Sequence, residues 1–528
     1  MVHHPKSLSL PPGPKPLPLI GNIHQLPKSL QWLHLHHMSK TYGLIMHFNM
    51  AGQPLIVLST HEAAHELLSR RRARYSDRPR MVMANELVTK GLHPVFRQYD
   101  DRYKLHQRMH TPLLNLQSSS TYRPLQDMES RELLFDVLLE GDKCGEKGVD
   151  FHHHHERAMA STIYSLMYGY RLKTGHEKEL LDAKKVVAEF TRTGQVGAYI
   201  VDSFPWLNYL PRVLAPWKRE AEKLWNLERN LHVENLRRGL GSSGWTFVKH
   251  MANSAEALDM SVDEIAFDAG ILTDAALDTS TVALDWFIVT RIATGAEWVP
   301  KAQKLLDQVV GHDRLPTFED RSRLAYIDAI VNETLRWRPG VPGGVPHVNR
   351  FEDEYKGYRI PAKSIILPNH FAITRDEAVF GPDVDSFIPE RWMADDADEK
   401  SPQPDACGFN TAAIRDMPYV GFGYGRRGCT GRYIARSQLW IQIARMLWAF
   451  DVEPGVDEET SERFVVDDMD CTEGFATMPK PFKAVMRPRG TWARRVILQS
   501  GSMHEIHHAE LLNRARGGGN QHGLKGDV

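Results

Sequence analysis

The sequence predicts a mainly α-helical fold with a minor β component, and three observations carry that prediction. From Asp150 to Asn332 the pattern of apolar residues is mostly helical. After Cys429, residues Leu439, Ile443, Leu447 and Phe450 fall at i, i+4, i+8 and i+11, an apolar stripe at helical spacing. Strand-like runs are short: Pro54 to Ser59, then brief segments between Tyr355 and Pro368 with Gly357 and Pro361 as punctuation.

Taken in chain order, Pro11-Pro12-Gly13-Pro14-Lys15-Pro16-Leu17-Pro18 excludes helix and central strand, because proline removes donors and fixes φ. It reads as a stiff extended arm leading into Ile20-Gly21-Asn22. Thr60 to Arg70 reads as a helix capped by Ser59 or Thr60. An unusually long helix is expected from about Asp263 through Thr290, capped by Ser261. The polar stretch after Gly490 ends in Arg514-Ala515-Arg516-Gly517-Gly518-Gly519 and reads as a disordered tail. The expected organisation is therefore an N-terminal segment and arm (1–22), one large domain (23–489) and a tail (490–528).

Composition narrows the function. The 528 residues include 65 lysines and arginines against 66 aspartates and glutamates, a formal net charge of −1. That balance lacks the basic footprint of a nucleic-acid binder. Four cysteines (Cys144, Cys407, Cys429 and Cys471) are too few and too irregular for a disulfide framework or a zinc site, which points to a reducing compartment. No run approaches the ~18 to 20 apolar residues of a membrane span, and the first ten residues lack a signal peptide's apolar block. His152-His153-His154-His155 invites a metal reading. Neighbours on a helix diverge by about 100°, so the run reads instead as a solvated or partly packed helix start.

One segment demands chemistry: Phe422-Gly423-Tyr424-Gly425-Arg426-Arg427-Gly428-Cys429-Thr430-Gly431. A cysteine that serves as a thiolate ligand needs its charge stabilised and its sulfur protected. Glycines allow a tight fold that turns N–H groups toward the sulfur. A helix starting just after Cys429 points its positive end at the thiolate, and Arg427 offers a fixed cation for an anionic group. Phe422 stands where it would cover the sulfur. Elsewhere, Glu333 and Arg336 share a helix face, and Arg391 follows in Phe387-Ile388-Pro389-Glu390-Arg391-Trp392. Ala275-Ala276-Leu277-Asp278-Thr279-Ser280-Thr281 lies midway along the long helix, where a threonine hydroxyl bonding back to the i−4 carbonyl opens a polar notch.

The cysteine segment resembles the haem-binding signature of the cytochromes P450, and the resemblance runs from about Pro11 to Arg489. Within that family the chain looks most like fungal secondary-metabolism enzymes of the O-methylsterigmatocystin oxidoreductase type. Arg336-Trp337-Arg338-Pro339, Gly357-Tyr358-Arg359-Ile360-Pro361 and Leu367-Pro368-Asn369 carry that likeness. The resemblance implies a cytochrome P450 fold around one haem b (iron protoporphyrin IX) with Cys429 as the iron ligand. It implies that Glu333, Arg336 and Arg391 form a buried structural network. Thr279 would steer protons to dioxygen with Asp278 assisting, and Arg427, His347, Phe422 and Tyr103 would contact the haem. Three departures stand out: Ala276 replaces the family's usual glycine, and Tyr103 and Gln107 replace its usual tryptophan and arginine.

By the same analogy the pocket is lined by Asp268 to Ala276, Val341 to Val345 and Gly474 to Met478, segments that suit a small hydrophobic, non-ionic substrate. The implied reaction inserts one atom of O2, with electrons from NADPH delivered by NADPH–cytochrome P450 reductase. Arg426, Arg432 and Arg436 are candidates for the reductase-docking surface. The implied protein is a monomer with peripheral membrane contact, on the cytoplasmic face of the endoplasmic reticulum. A haem-thiolate enzyme driven by peroxide and a non-catalytic haem sensor are the rival classes; the Asp278-Thr279 pair argues against the first.

Overall fold

Ten helices and six strands frame the interior of the computed structural model, which describes residues 8–195, 198–393, 421–501 and 508–516. In chain order they are β1 (Ile45–Met50), β2 (Gln53–Leu58), α1 (Asp101–Leu114), α2 (Arg123–Cys144), α3 (Phe151–Tyr168), α4 (Lys178–Thr193), α5 (Pro216–Gly241), α6 (Val262–Ala293), α7 (Ala325–Trp337), β3 (His347–Val348), β4 (Ile365–Pro368), α8 (Arg432–Ala449), β5 (Phe450–Pro454), β6 (Ala484–Pro488), α9 (Thr491–Gly501) and α10 (His508–Arg516). Cys407 lies outside the described residues.

The helices form because their apolar residues repeat at helical spacing, and they pack because those faces have no other place out of water. Leu284, Phe287 and Ile288 of α6 pack in one core with Ile327 and Ile330 of α7, Leu133 and Leu134 of α2, and Trp440, Ile443 and Leu447 of α8. The predicted stripe Leu439-Ile443-Leu447 is therefore core, and Phe450 begins β5. The long helix α6 starts where its cap places it. The Ser261 hydroxyl accepts from the Glu264 N–H, and Glu264 reaches back to the Ser261 N–H, which satisfies donors that the first turn leaves open. Gly431, just ahead of α8, makes no side-chain cap, and the backbone N–H groups of Gly431 and Arg432 bond the Cys429 sulfur instead.

The minor sheet runs in the order β1-β2-β4-β3. β2 pairs in parallel with β4 (Leu55 opposite Ile365), and β3 pairs antiparallel with β4 (His347 opposite Ile366). This pairing brings His347 to the segment after β2, where it meets Tyr75. The Pro-rich arm lies along β1, where the His47 N–H donates to the Pro12 carbonyl (2.9 Å).

One expectation changes. The stretch after Gly490 is not a tail through residue 516. It folds as α9 and α10, with Ala493, Val496 and Ile497 buried in the main core and Leu512 and Ala515 buried against the helices nearby. These apolar positions are spaced for one helix face, a signal that the overall polarity of the stretch hides. The histidine run starts α3 as expected and is partly packed: His154 and His155 are buried, His152 and His153 half-buried. His152 and His155 both point Nδ1 at the buried Asp285 of α6, at 2.7 and 2.8 Å. Among the described residues no group of three histidines, cysteines or acids is placed to hold a metal ion, and no helix is long and apolar enough to cross a membrane.

Candidate active site

Glu333, Arg336 and Arg391 come together with no exposed side-chain surface. The Arg336 Nε and Nη2 each donate to one Glu333 oxygen at 2.7 Å, a forked pair that uses both ends of the carboxylate. The Arg391 Nε lies 3.4 Å from Glu333, and the Trp392 indole N–H donates to it at 2.9 Å. The remaining Arg336 donors reach the carbonyls of Thr374, Val384 and Ser386. A buried charge stripped of its partner is strongly destabilising, so this cluster locks α7 to residues 374–392.

The cysteine loop closes on itself through the Cys429 N–H, which donates to the Phe422 carbonyl at 2.7 Å. Gly425 sits at φ +58, and a Cβ there would lie 2.1 Å from the Leu68 carbonyl oxygen, so only glycine lets the loop pass beneath that segment. The Cys429 side chain is densely surrounded by protein yet keeps open surface. That crowding pushes the thiol up, while the N–H groups of Gly431 and Arg432 and the Arg432 charge pull it back down. Arg432 also donates to the Cys429 carbonyl (2.8 Å), and Arg436 binds Asn332, so the proposed docking arginines are partly engaged within the fold.

Helix α6 brings Thr279 to the same interior. Between Asp263 and Ile292 the exposed positions are Ala275 and Thr279, one turn apart, so one face of a buried helix opens onto a pocket. The Thr279 hydroxyl donates to the Ala275 carbonyl at 2.9 Å, the back-bond expected of a notch. Helices α6 and α8 pack on each other, and Ala276, Leu277 and Ile434, five residues after Cys429, belong to one apolar cluster. Asp278 is not brought to Thr279: it faces away, within reach of the charges of Glu156, His152 and Lys184. Burial first, and then Glu156, raise its carboxyl to about 6.

Asp268, expected to line the pocket, does not. Its carboxylate is buried between His106 (2.7 Å) and His110 (2.9 Å) of α1, which ties that helix to α6.

The third part of the site is a pair of cations, the buried Arg78 and the half-buried Arg427. Arg427 spends its donors on the carbonyls of Ser76, Pro94 and Arg97, with the Tyr103 ring 3.8 Å from its guanidinium. Gln107, where the family has a cation, instead donates to the Arg426 carbonyl (3.2 Å). The sequence reading missed Arg78. It is buried, donates to the carbonyls of Val95, Val345 and Pro346, and has no carboxylate partner among the described residues. Burial, and then the Arg427 charge, pull Arg78 down to about 9. His347 donates from Nδ1 to the Tyr75 carbonyl (2.7 Å), and burial and Arg78 hold its ring neutral. The signal available for Arg78 was its place in Tyr75-Ser76-Asp77-Arg78-Pro79, just ahead of a loop, but composition gave no reason to expect it inside.

The buried Arg78 and the half-buried Arg427, neither in an ion pair among the described residues, an accessible thiol under helix N–H groups, and a notched helix fit a haem, whose propionates would pair with the two cations. Comparison with known proteins agrees. Residues 11–486 match the family model described as Cytochrome P450. Curated relatives include the cytochrome P450 monooxygenase aneD of Aspergillus aculeatus, 37% identical over 91% of this chain and 88% of that protein. Others are the cytochrome P450 monooxygenases drtD of Aspergillus calidoustus (34%; 94% and 89%) and FrzL of Cladobotryum (33%; 96% and 93%). The chain belongs to the cytochrome P450 family.

Proposed function

We propose that this chain inserts one atom of dioxygen into a small hydrophobic substrate in fungal secondary-metabolite biosynthesis, with electrons from NADPH passed on by a reductase. The observation that carries the reading is the convergence of Cys429, the Thr279 notch and the paired cations Arg78 and Arg427 on one interior. When bound, haem b supplies the dioxygen chemistry, with a cysteine thiolate as its axial ligand. Cys429 would ligate it. Arg78 and Arg427 would take its propionates, with Tyr103 packed beneath Arg427. A carboxylate placed at His347 Nε2 would favour the protonated ring and recruit that side chain as a further partner.

In the reaction one oxygen atom enters the substrate and the other leaves as water, which consumes two electrons and two protons. The Thr279 hydroxyl is placed to pass protons into the notch once it turns from the Ala275 carbonyl. Asp278, with its carboxyl raised to about 6, exchanges protons near neutral pH and would supply them from the α3 and α4 side. Exposed apolar side chains at Trp206, Tyr209, Val213 and Leu214 support peripheral contact with a bilayer.

The test is spectroscopic. The reduced, carbon-monoxide-bound protein is expected to show the red-shifted Soret band of a thiolate ligand, and Cys429→Ala to abolish it. A histidine-type spectrum in the unaltered protein would reject the reading.

A further inference from the structure

Helix α8 opens on a charge of the wrong sign for its position. The first turn of a helix favours acids, because its unpaired N–H groups carry partial positive charge. Helix α6 follows that rule with Asp263 and Glu264, whereas α8 starts at Arg432 and has no acid in its first turn. A cation there gains from a negative group close by, and Cys429 supplies one when its thiol is ionised.

Arg432 is fastened to that residue. Its Nη1 donates to the Cys429 carbonyl (2.8 Å), and its Nη2 donates to the Tyr433 hydroxyl (3.2 Å), with the Tyr433 ring 4.6 Å from the guanidinium. The half-buried side chain is thus held from two sides. Burial pushes the Cys429 thiol up, and the Gly431 N–H, the Arg432 charge and the Arg432 N–H oppose it in that order. The other arginines around the loop are turned elsewhere. Arg426 lies over the Tyr99 ring (4.7 Å), Arg427 donates to the carbonyls of Ser76, Pro94 and Arg97, and Arg436 donates to Asn332. Among the described residues, Arg432 is the side-chain charge that acts on the Cys429 sulfur.

We propose that Arg432 is a positioning residue that sets the reduction potential of the bound haem iron, beyond any part it has in docking a reductase. This rests on the monooxygenase reading above and adds a regulator of its first electron. One electron from the reductase takes ferric to ferrous iron with no bond made or broken, so the site becomes one charge more negative. A cation fixed beside the thiolate favours that state. A half-buried unit charge there is expected to shift the redox equilibrium about three- to tenfold, where tenfold is about 59 mV for one electron.

The test is a spectroscopic redox titration of the full-length, haem-loaded protein against a dye of known potential, without substrate or reductase. Arg432→Gln keeps a donor for the Cys429 carbonyl but removes the charge, and is expected to lower the equilibrium constant for reduction about three- to tenfold. Arg432→Lys keeps the charge without the guanidinium fork and is expected to stay within about twofold of the unaltered protein. A potential unmoved by Arg432→Gln, or lowered equally by Arg432→Lys, would overturn the assignment. So would loss of the thiolate band in both variants, which would make the side chain structural. Carbon-monoxide spectra recorded in parallel separate the two readings. Absence of the thiolate band from the unaltered protein overturns the monooxygenase reading, whereas an intact band with an unmoved potential overturns the Arg432 assignment alone.

Discussion

Arg78 is a guanidinium closed off from water with only carbonyl oxygens as partners. Such a group gains most from an anion, since charge-assisted hydrogen bonds strengthen where solvent is excluded. Arg78→Leu is therefore expected to release haem about tenfold faster, the effect of one charged hydrogen bond, measured as transfer to apomyoglobin. Unchanged transfer would remove Arg78 from the propionate set. Glu333 shows the contrasting kind of buried charge, one paired with two buried arginines. Spacing and resemblance pointed to that cluster, whereas nothing in the spacing of Arg78 separates it from a surface arginine.

At the scale of elements, α6 is the organising helix, and two histidine pairs fasten it. His106 and His110 of α1 hold Asp268; His152 and His155 of α3 hold Asp285. The hydrogen bond to Asp285, offset by burial, raises His152 from 6.5 to about 9. A raised histidine stabilises the fold fully below its unfolded value near 6.5, and that contribution is lost as pH rises through about 9. His152→Gln is expected to lower the melting temperature at pH 6 to 7, and the difference from the unaltered chain is expected to shrink by about pH 10. A difference that does not vary with pH would mean that the link does not depend on charge. The helix itself was legible from its cap and its apolar content. Its fastenings were not, because Asp285 and the histidine run stand over a hundred residues apart.

Across the whole molecule the chain's end closes its beginning. Helix α9 packs on α2, with Gly501 against Phe135, and Trp492 stacks on His312 and meets Trp448 edge-on. Helix α10 buries Leu512 and Ala515, and Thr121 donates to the Ala515 carbonyl. A chain that stops after Arg489 strips several buried apolar side chains of cover, each worth about 1.5 to 3 kcal/mol. It is expected to melt about 5 °C or more below the full-length protein. Equal melting temperatures would show that the two helices contribute nothing to the folded body.

The sequence by itself determined the helical class, the glycine-rich loop that presents Cys429, the notch at Thr279 and the family, because each is written in local spacing or in a short motif. Tertiary structure alone decided which charges stand unpaired. It put Arg78 beside Arg427, turned Asp278 away from the pocket, closed Asp268 between two histidines and folded the last helices onto α2. Those outcomes depend on which helix faces meet, and burial acts on a charge only through neighbours that chain order does not reveal. For Cys429, the proposed ligand was legible in its own loop; the cations proposed to complete its site were assembled by the fold.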